Sequence, residues 1–300
     1  MRRGTFLTLS AAMLAMAGCA AAPEPSDTPP VTPPSDLMLA QLQRTLPGPY
    51  SNFAQVHEGG APAPVIDLRI ARPPDGTVGL FRLTQTPRDS QARQFEYEFS
   101  PEAGGEALSV VVRPVTADGR VGEAPEGCAL LLRPIGATFA GQTDPAQCRL
   151  AHPEHGEVGL LRELAIESDA LSVGERLLDA DGASLGADRI LTFRRVTTFD
   201  GWAGLRVGDG EHDWRLATPF TLQDDGRIVW LEDAAGDALG IGLQLATVRW
   251  RTDRPEILRL AVHDATEDGV RSTAWAAADS GQVGIQLEAF QAGLTRRPEP

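Results

Sequence analysis

The chain has 300 residues and a formal net charge of −14, and all 27 of its cationic side chains are arginine. The absence of lysine excludes a Schiff-base lysine, a Walker A lysine and a Ser-Lys dyad. The acidity argues against binding nucleic acid or anionic lipid through charge.

Arg2 and Arg3 precede a short apolar run from Phe6 to Met16, and Met16-Ala17-Gly18 stand before Cys19. That is the layout of a secretory signal over residues 1–18. Small residues directly before a cysteine resemble a lipoprotein lipobox, with Met16 an unusual occupant of its outermost position. That resemblance implies acylation of Cys19 and a membrane anchor, with the protein facing the periplasm of the cell envelope. An ordinary cleaved signal that leaves Cys19 free is the alternative. Ala20 follows Cys19, which resembles sorting to the outer membrane. Losing Arg2 and Arg3 with the leader makes the remainder two charges more negative. Residues 19–36, AAAPEPSDTPPVTPPSD after Cys19, are rich in proline without an apolar pattern and read as an extended tether.

Asp36 to Thr45 reads as one short helix, with cap residues in Pro-Pro-Ser-Asp and an apolar stripe of Met38, Leu39 and Leu42. LPGPYSNFAQ, residues 46–55, then places an aromatic and uncharged amides after a Pro-Gly-Pro turn. Thereafter the apolar period is two. VIDLRIA sets Ile66, Leu68 and Ile70 against Asp67 and Arg69. QFEYEF sets Phe95, Tyr97 and Phe99 against Glu96 and Glu98. VGLFRL, ALSVVVR, CALLLR, LLRELAI and RILTFRR continue the series, with turn residues in most gaps. Many short strands at regular spacing indicate an all-β, antiparallel barrel or sandwich. A second β-patterned region runs from residue 199 to 296 and holds all five tryptophans, at 202, 214, 230, 250 and 275. Aromatics on this scale are more often core or interface than a ligand cage.

Cys128 and Cys148 lie twenty positions apart in a chain bound for an oxidising compartment, which favours a disulfide. Adding His152 and His155 gives a rival metal reading, but the Cys–Cys gap is far too long for a zinc knuckle. His57, His212 and His263 are scattered. No G-x-S-x-G elbow exists, and DADGASLGADRI lacks the terminal acid of a calcium loop. No metal is expected.

Taken in order, LPGPYSNFAQ, GCALLLRPIGATFAGQTDPAQC and LSVGERLLDADG before DRILTFRR resemble the CpcT/CpeT family of phycobiliprotein bilin lyases. The resemblance runs from about residue 37 to 196 and puts Cys128 and Cys148 in matching places. It implies an antiparallel, lipocalin-like (calycin-type) barrel over 37–198 that holds a linear tetrapyrrole, commonly as a homodimer, with 199–296 a β-rich extension. By that resemblance the activity is a chromophore lyase, and Tyr50, Asn52 and Gln55 lie at the barrel entry. Asn52 and Gln55 tying the helix end to the first strand is the other reading. LTQTPRDSQARQFEYEF keeps Gln85, Arg93 and Gln94 of the family's second motif, with Ala92 and Phe95 replacing its tyrosine and second arginine. GERLLD keeps Arg176 and Asp179, with Glu175 in the place of an aspartate. Arg93 or Arg176 would hold a propionate and Asp179 would accept pyrrole N–H bonds, all three facing inward near Gln85. An Arg–Asp pair that satisfies itself is the competing account. The alternative to a lyase is a non-catalytic protein that binds a small apolar ligand carrying carboxylates.

Overall fold

The computed structural model describes residues 34–59, 63–186, 188–208, 210, 213–249, 255–267 and 269–298. Cys19 and nearly all of the tether lie outside them. Residues from Pro33 to Pro300 form one compact unit.

The first helix, α1 (Ser35–Thr45), has Pro34 at its N-cap and no side-chain cap, so the Ser-Asp pair begins the helix without capping it. Asp36 in the first turn and Arg44 in the last complement the helix dipole. Its stripe of Met38, Leu39 and Leu42 is buried. A second helix, absent from the sequence reading, is α2 (Phe53–Glu58). At six residues it is too short for a periodic apolar signal.

The barrel is all-antiparallel. Its strands are β1 (Gly48–Ser51), β2 (Ile66–Ala71), β3 (Leu80–Pro87), β4 (Arg93–Pro101), β5 (Leu108–Val115), β6 (Leu130–Ile135), β7 (Thr138–Gln142), β8 (Arg149–His152), β9 (Gly156–Ile166), β10 (Ala170–Leu178) and β11 (Arg189–Arg195). Ten of them close a ring in the order β10-β11-β1-β2-β3-β4-β5-β6-β7-β9, with β9 pairing back to β10, and β8 hangs on β9. Closure removes the unpaired edges that an open sheet would expose. Alternation does the rest: Ile66, Leu68, Ile70, Phe81, Tyr97, Phe99, Val110 and Phe193 all point into one buried core. Phe81 and Phe99 meet edge to face at 5.4 Å between centroids. The stripe of α1 joins this core, and Ser35 N donates to Gly105 O in the β4–β5 turn, so α1 closes one end of the barrel. Glu96 is on the outer face, as its parity requires, but it is 8% exposed because Arg82 and Arg113 on the neighbouring strands cover it at 3.1 and 3.8 Å.

Cys128 and Cys148 form a disulfide. With Leu160 they make a small buried cluster at the β8–β9 end. The cysteines are therefore not metal ligands.

Beyond the barrel come β12 (Thr198–Arg206), β13 (Trp214–Leu216), β14 (Phe220–Gln223), β15 (Asp225–Glu232), β16 (Ala238–Val248), β17 (Ile257–Asp264), β18 (Val270–Ala277), β19 (Gln282–Gln286) and β20 (Phe290–Arg296). They form a five-stranded sheet, β13-β12-β20-β19 with β14 on β12, and a four-stranded sheet, β15-β16-β17-β18. The inward residues of both, among them Phe199, Leu222, Leu243, Leu258, Leu260 and Leu294, share a second core. This is sheet-on-sheet packing. Among the described residues, Trp202, Trp214, Trp230 and Trp275 sit on the outer faces. Trp202 is paired across the strands with Gly293, and Trp230 with Gly242. A Cβ on Gly293 would fall 2.5 Å from the Trp202 indole nitrogen, so the glycine is what lets the ring lie over its neighbour.

Candidate functional site

The end of the barrel away from α1 is where polar groups meet the inner wall. On β9, Leu160, Arg162, Leu164 and Ile166 share one face, and on β10 so do Leu171, Val173, Glu175 and Leu177. The core takes Leu164, Ile166 and Leu171, which fixes that face as the inner one. Arg162 and Glu175 are direct cross-strand partners, and Arg162 Nε donates to Glu175 Oε1 at 2.6 Å. The Arg162 side chain is 14% exposed, whereas that of Glu175 is 53% exposed and reaches solvent through the mouth. Phe95, Val173 and Leu191 are partly buried inner-face residues packed on the core below. A mouth results, lined by partly buried apolar side chains and an ion pair whose arginine is sunk and whose glutamate is exposed.

Tyr97, on β4 across the ring from β9 and β10, faces the same interior. Burial pushes its phenol up to about 12, with the charge of Arg162 pulling down and that of Glu175 adding to the rise. At neutral pH the phenol therefore keeps its proton and can only donate or accept a hydrogen bond; it is no base.

The seven residues expected to bind ligand do not converge. Gln85 and Arg93 are cross-strand partners at this mouth, Gln85 half-buried and Arg93 exposed. Arg176 is on the opposite, outer face of β10. Its guanidinium bonds Glu163 at 2.9 Å and Asp188 at 3.4 Å. Asp179 accepts from the backbone N–H groups of Asp181 and Ala183 in the turn that follows. The inward Arg176–Asp179 arrangement is thus corrected: pleat parity turns Glu175 inward and Arg176 outward.

Tyr50 packs against the end of α1, Asn52 sits where β1 runs out beside the start of β2, and Gln55 lies on the outer wall at β11. Tyr50 is buried; its hydroxyl donates to Leu46 O at 2.8 Å and accepts from Arg195, whose guanidinium lies 4.7 Å from the ring centroid. Asn52, fully buried, donates to Pro64 O and accepts from Ile66 N at 2.6 Å. Gln55 donates to Ile190 O and accepts from Thr192 N on β11. Both amides therefore tie the chain together, Asn52 to the start of β2 and Gln55 to β11, rather than the helix end to the first strand. Ser51 and Phe53, from the same stretch, line a cleft outside the barrel.

No family model matches this chain, and no curated protein matches it. Among solved structures it is similar to the T-type phycobiliprotein lyase CpeT from Prochlorococcus phage P-HM1, at 12% identity over 53% of this chain and 97% of that one, with a TM-score of 0.35. It is also similar to the CRL protein of Arabidopsis, at 14% identity over 54% of this chain and 100% of that one, with a TM-score of 0.39.

Sequence reasoning missed Arg162 and Glu175 as a pair. The signal was present in LLRELAI, where an arginine occupies an alternation otherwise filled by leucine and isoleucine.

Proposed function

We propose that this chain is a non-catalytic binding protein whose barrel mouth receives a small apolar acid, such as a linear tetrapyrrole with its propionates. The observation that carries the reading is the Arg162–Glu175 pair, whose arginine is sunk in the inner wall facing Tyr97 across the barrel, near the partly buried Phe95, Val173 and Leu191. A ligand carboxylate entering there meets a guanidinium already held at the wall and a phenol able to donate, while its apolar body covers the ring edges. Glu175, the more exposed partner, is free to turn to solvent as the ligand carboxylate takes its place. The acylated Cys19 and the proline-rich tether would hold this domain at the periplasmic side of the outer membrane.

Titration of the full chain with biliverdin, followed by absorbance, tests the reading. Binding by the wild-type chain should weaken by about 1.5–3 kcal/mol in Arg162→Ala, the range for hydrogen bonds to a charged group. No bilin binding, or equal affinity in Arg162→Ala with the fold intact by circular dichroism, would overturn it.

A further inference from the structure

A cleft of about 1180 Å³ runs between the outer wall of the barrel at α2 and β11 and the outer face of the four-stranded sheet. Seven of the 27 arginines line it, in a chain where acids outnumber arginines 41 to 27. Two of these have carboxylate partners: Arg227 with Asp67 and Asp225, and Arg249 with Glu256. The other five form no ion pair among the described residues. Arg195 is satisfied by the carbonyls of Thr45 and Pro47 and by the Tyr50 ring. Arg88 and Arg194 are exposed at the rim, where water and salt screen them.

That leaves Arg259 and Arg296, both half-buried. Arg259 lies on the outward face of β17, because Leu258 and Leu260 on either side are in the core. It donates to Gln244 Oε1 at 3.3 Å, and its Nε is buried without a partner. Gln244 cannot turn away, since its Nε2 donates to Gly226 O at 2.6 Å, and His263 Nε2 meets the same Oε1 at 3.3 Å. Arg296 donates to Thr197 Oγ1 at 3.3 Å. A half-buried guanidinium that meets only neutral oxygens lacks the counter-charge that burial calls for. The acids nearby do not supply it. Glu58, Glu167 and Asp169 are exposed at the rim. The oxygens of Asp224 are taken by Thr197 N and Thr247 Oγ1, each at 2.7 Å.

We infer that this cleft binds a small molecule bearing phosphate or clustered carboxylate groups, with Arg259 and Arg296 as its anion receptors. The planar fork of each arginine suits such oxyanions. Ile228 and Trp230, outward on β15 and lining the same cleft, offer an apolar wall to the rest of the molecule. The site is distinct from the barrel mouth: it lies outside the barrel, with Arg296 at the end of the inward face of β20, and none of its arginines is shared with the mouth.

Isothermal titration of the purified full chain with sodium pyrophosphate, and separately with citrate, at one fixed ionic strength tests this. One molecule of at least one anion should bind per chain; a pyrophosphate response alone assigns phosphate, and a citrate response alone assigns clustered carboxylates. Arg259→Gln and Arg296→Gln should each weaken binding by about tenfold or more, as loss of a charge-assisted hydrogen bond implies. Arg120→Gln, which removes an arginine 84% exposed and remote from the cleft, should leave affinity unchanged. Binding of neither anion, or an equal loss in Arg120→Gln, overturns the inference. Arg162→Ala should not alter either anion titration, and Arg259→Gln should not alter the biliverdin titration. Bilin binding that falls in Arg259→Gln but not in Arg162→Ala would sink the mouth reading and leave the cleft as the seat of the acid.

Discussion

Removing Arg227 should uncouple the barrel from the β-sandwich. Its guanidinium forks onto Asp67 of β2 at 2.6 and 3.1 Å and bonds Asp225 of β15 at 2.8 Å, with Ser51 Oγ at 3.3 Å. Asp225 is 3% exposed and Asp67 39% exposed, so the two acids depend on Arg227 to different degrees. Breaking a buried pair by deleting one partner costs about 3–5 kcal/mol, because the other charge stays buried without compensation. Here Ser51 Oγ and the residue 227 backbone N–H still donate to Asp225, which lowers the expected cost of Arg227→Ala to about 2–4 kcal/mol. At about 2–4 °C per kcal/mol for a domain of this size, the thermal midpoint should fall by roughly 4–16 °C. Arg227→Met combined with Asp225→Leu should be markedly less destabilised than Arg227→Ala alone, since no charge is then left buried. The assay is urea unfolding by circular dichroism, with calorimetry for the midpoint. A loss below about 1 kcal/mol in Arg227→Ala, or a double variant as unstable as the single one, would refute the claim that this arginine compensates a buried charge.

Spectrophotometric titration should show Tyr97 ionising only at about 12. Because the folded state holds that proton more tightly than the unfolded one, stability should fall as pH rises from about 10 toward 12, and Tyr97→Phe should abolish that slope. Burial raises the carboxyl pKa of Asp224 against the bonds from Thr247 and Thr197, so its native form binds a proton more readily than the unfolded chain does. Stability contributed there grows as pH falls through the raised value toward the ordinary aspartate range, and Asp224→Asn should flatten that part of the pH–stability curve. Replacing Cys128 and Cys148 by serine should cost about 3 kcal/mol for a loop of this length, measured by denaturant unfolding, and both wild-type thiols should resist alkylation until reduced. Palmitate label should enter the chain and vanish in Cys19→Ala; label that persists there refutes anchoring through that residue.

Period-two runs such as VIDLRIA and QFEYEF made the barrel strands legible, because one buried face imposes alternation on the residues themselves. Those same runs gave the correct inner set of Phe95, Tyr97 and Phe99. The polar site was less legible. In GERLLD, the expectation attached to Arg176, while its neighbour Glu175 turns inward; the face a residue takes depends on register, which the hexapeptide alone does not contain. Asn52 and Gln55 were visible as amides, but their partners at Pro64, Ile66, Ile190 and Thr192 are supplied by tertiary pairing. The arginines of the cleft were harder still. Arg227, Arg259 and Arg296 come from three separate strands of the sandwich and share no motif.

The two cores differ in their native chromophores. Both tyrosines, Tyr50 and Tyr97, are buried in the barrel core, while the tryptophans at 202, 214, 230 and 275 all stand on sandwich strands. Indole emission therefore follows the sandwich, and phenol absorbance follows the barrel, without any label being attached. If the two signals lose their folded values at the same denaturant concentration, the halves unfold as one cooperative body. If emission changes first, the barrel survives as an autonomous unit, and the spectroscopic gap measures what the contact between them contributes.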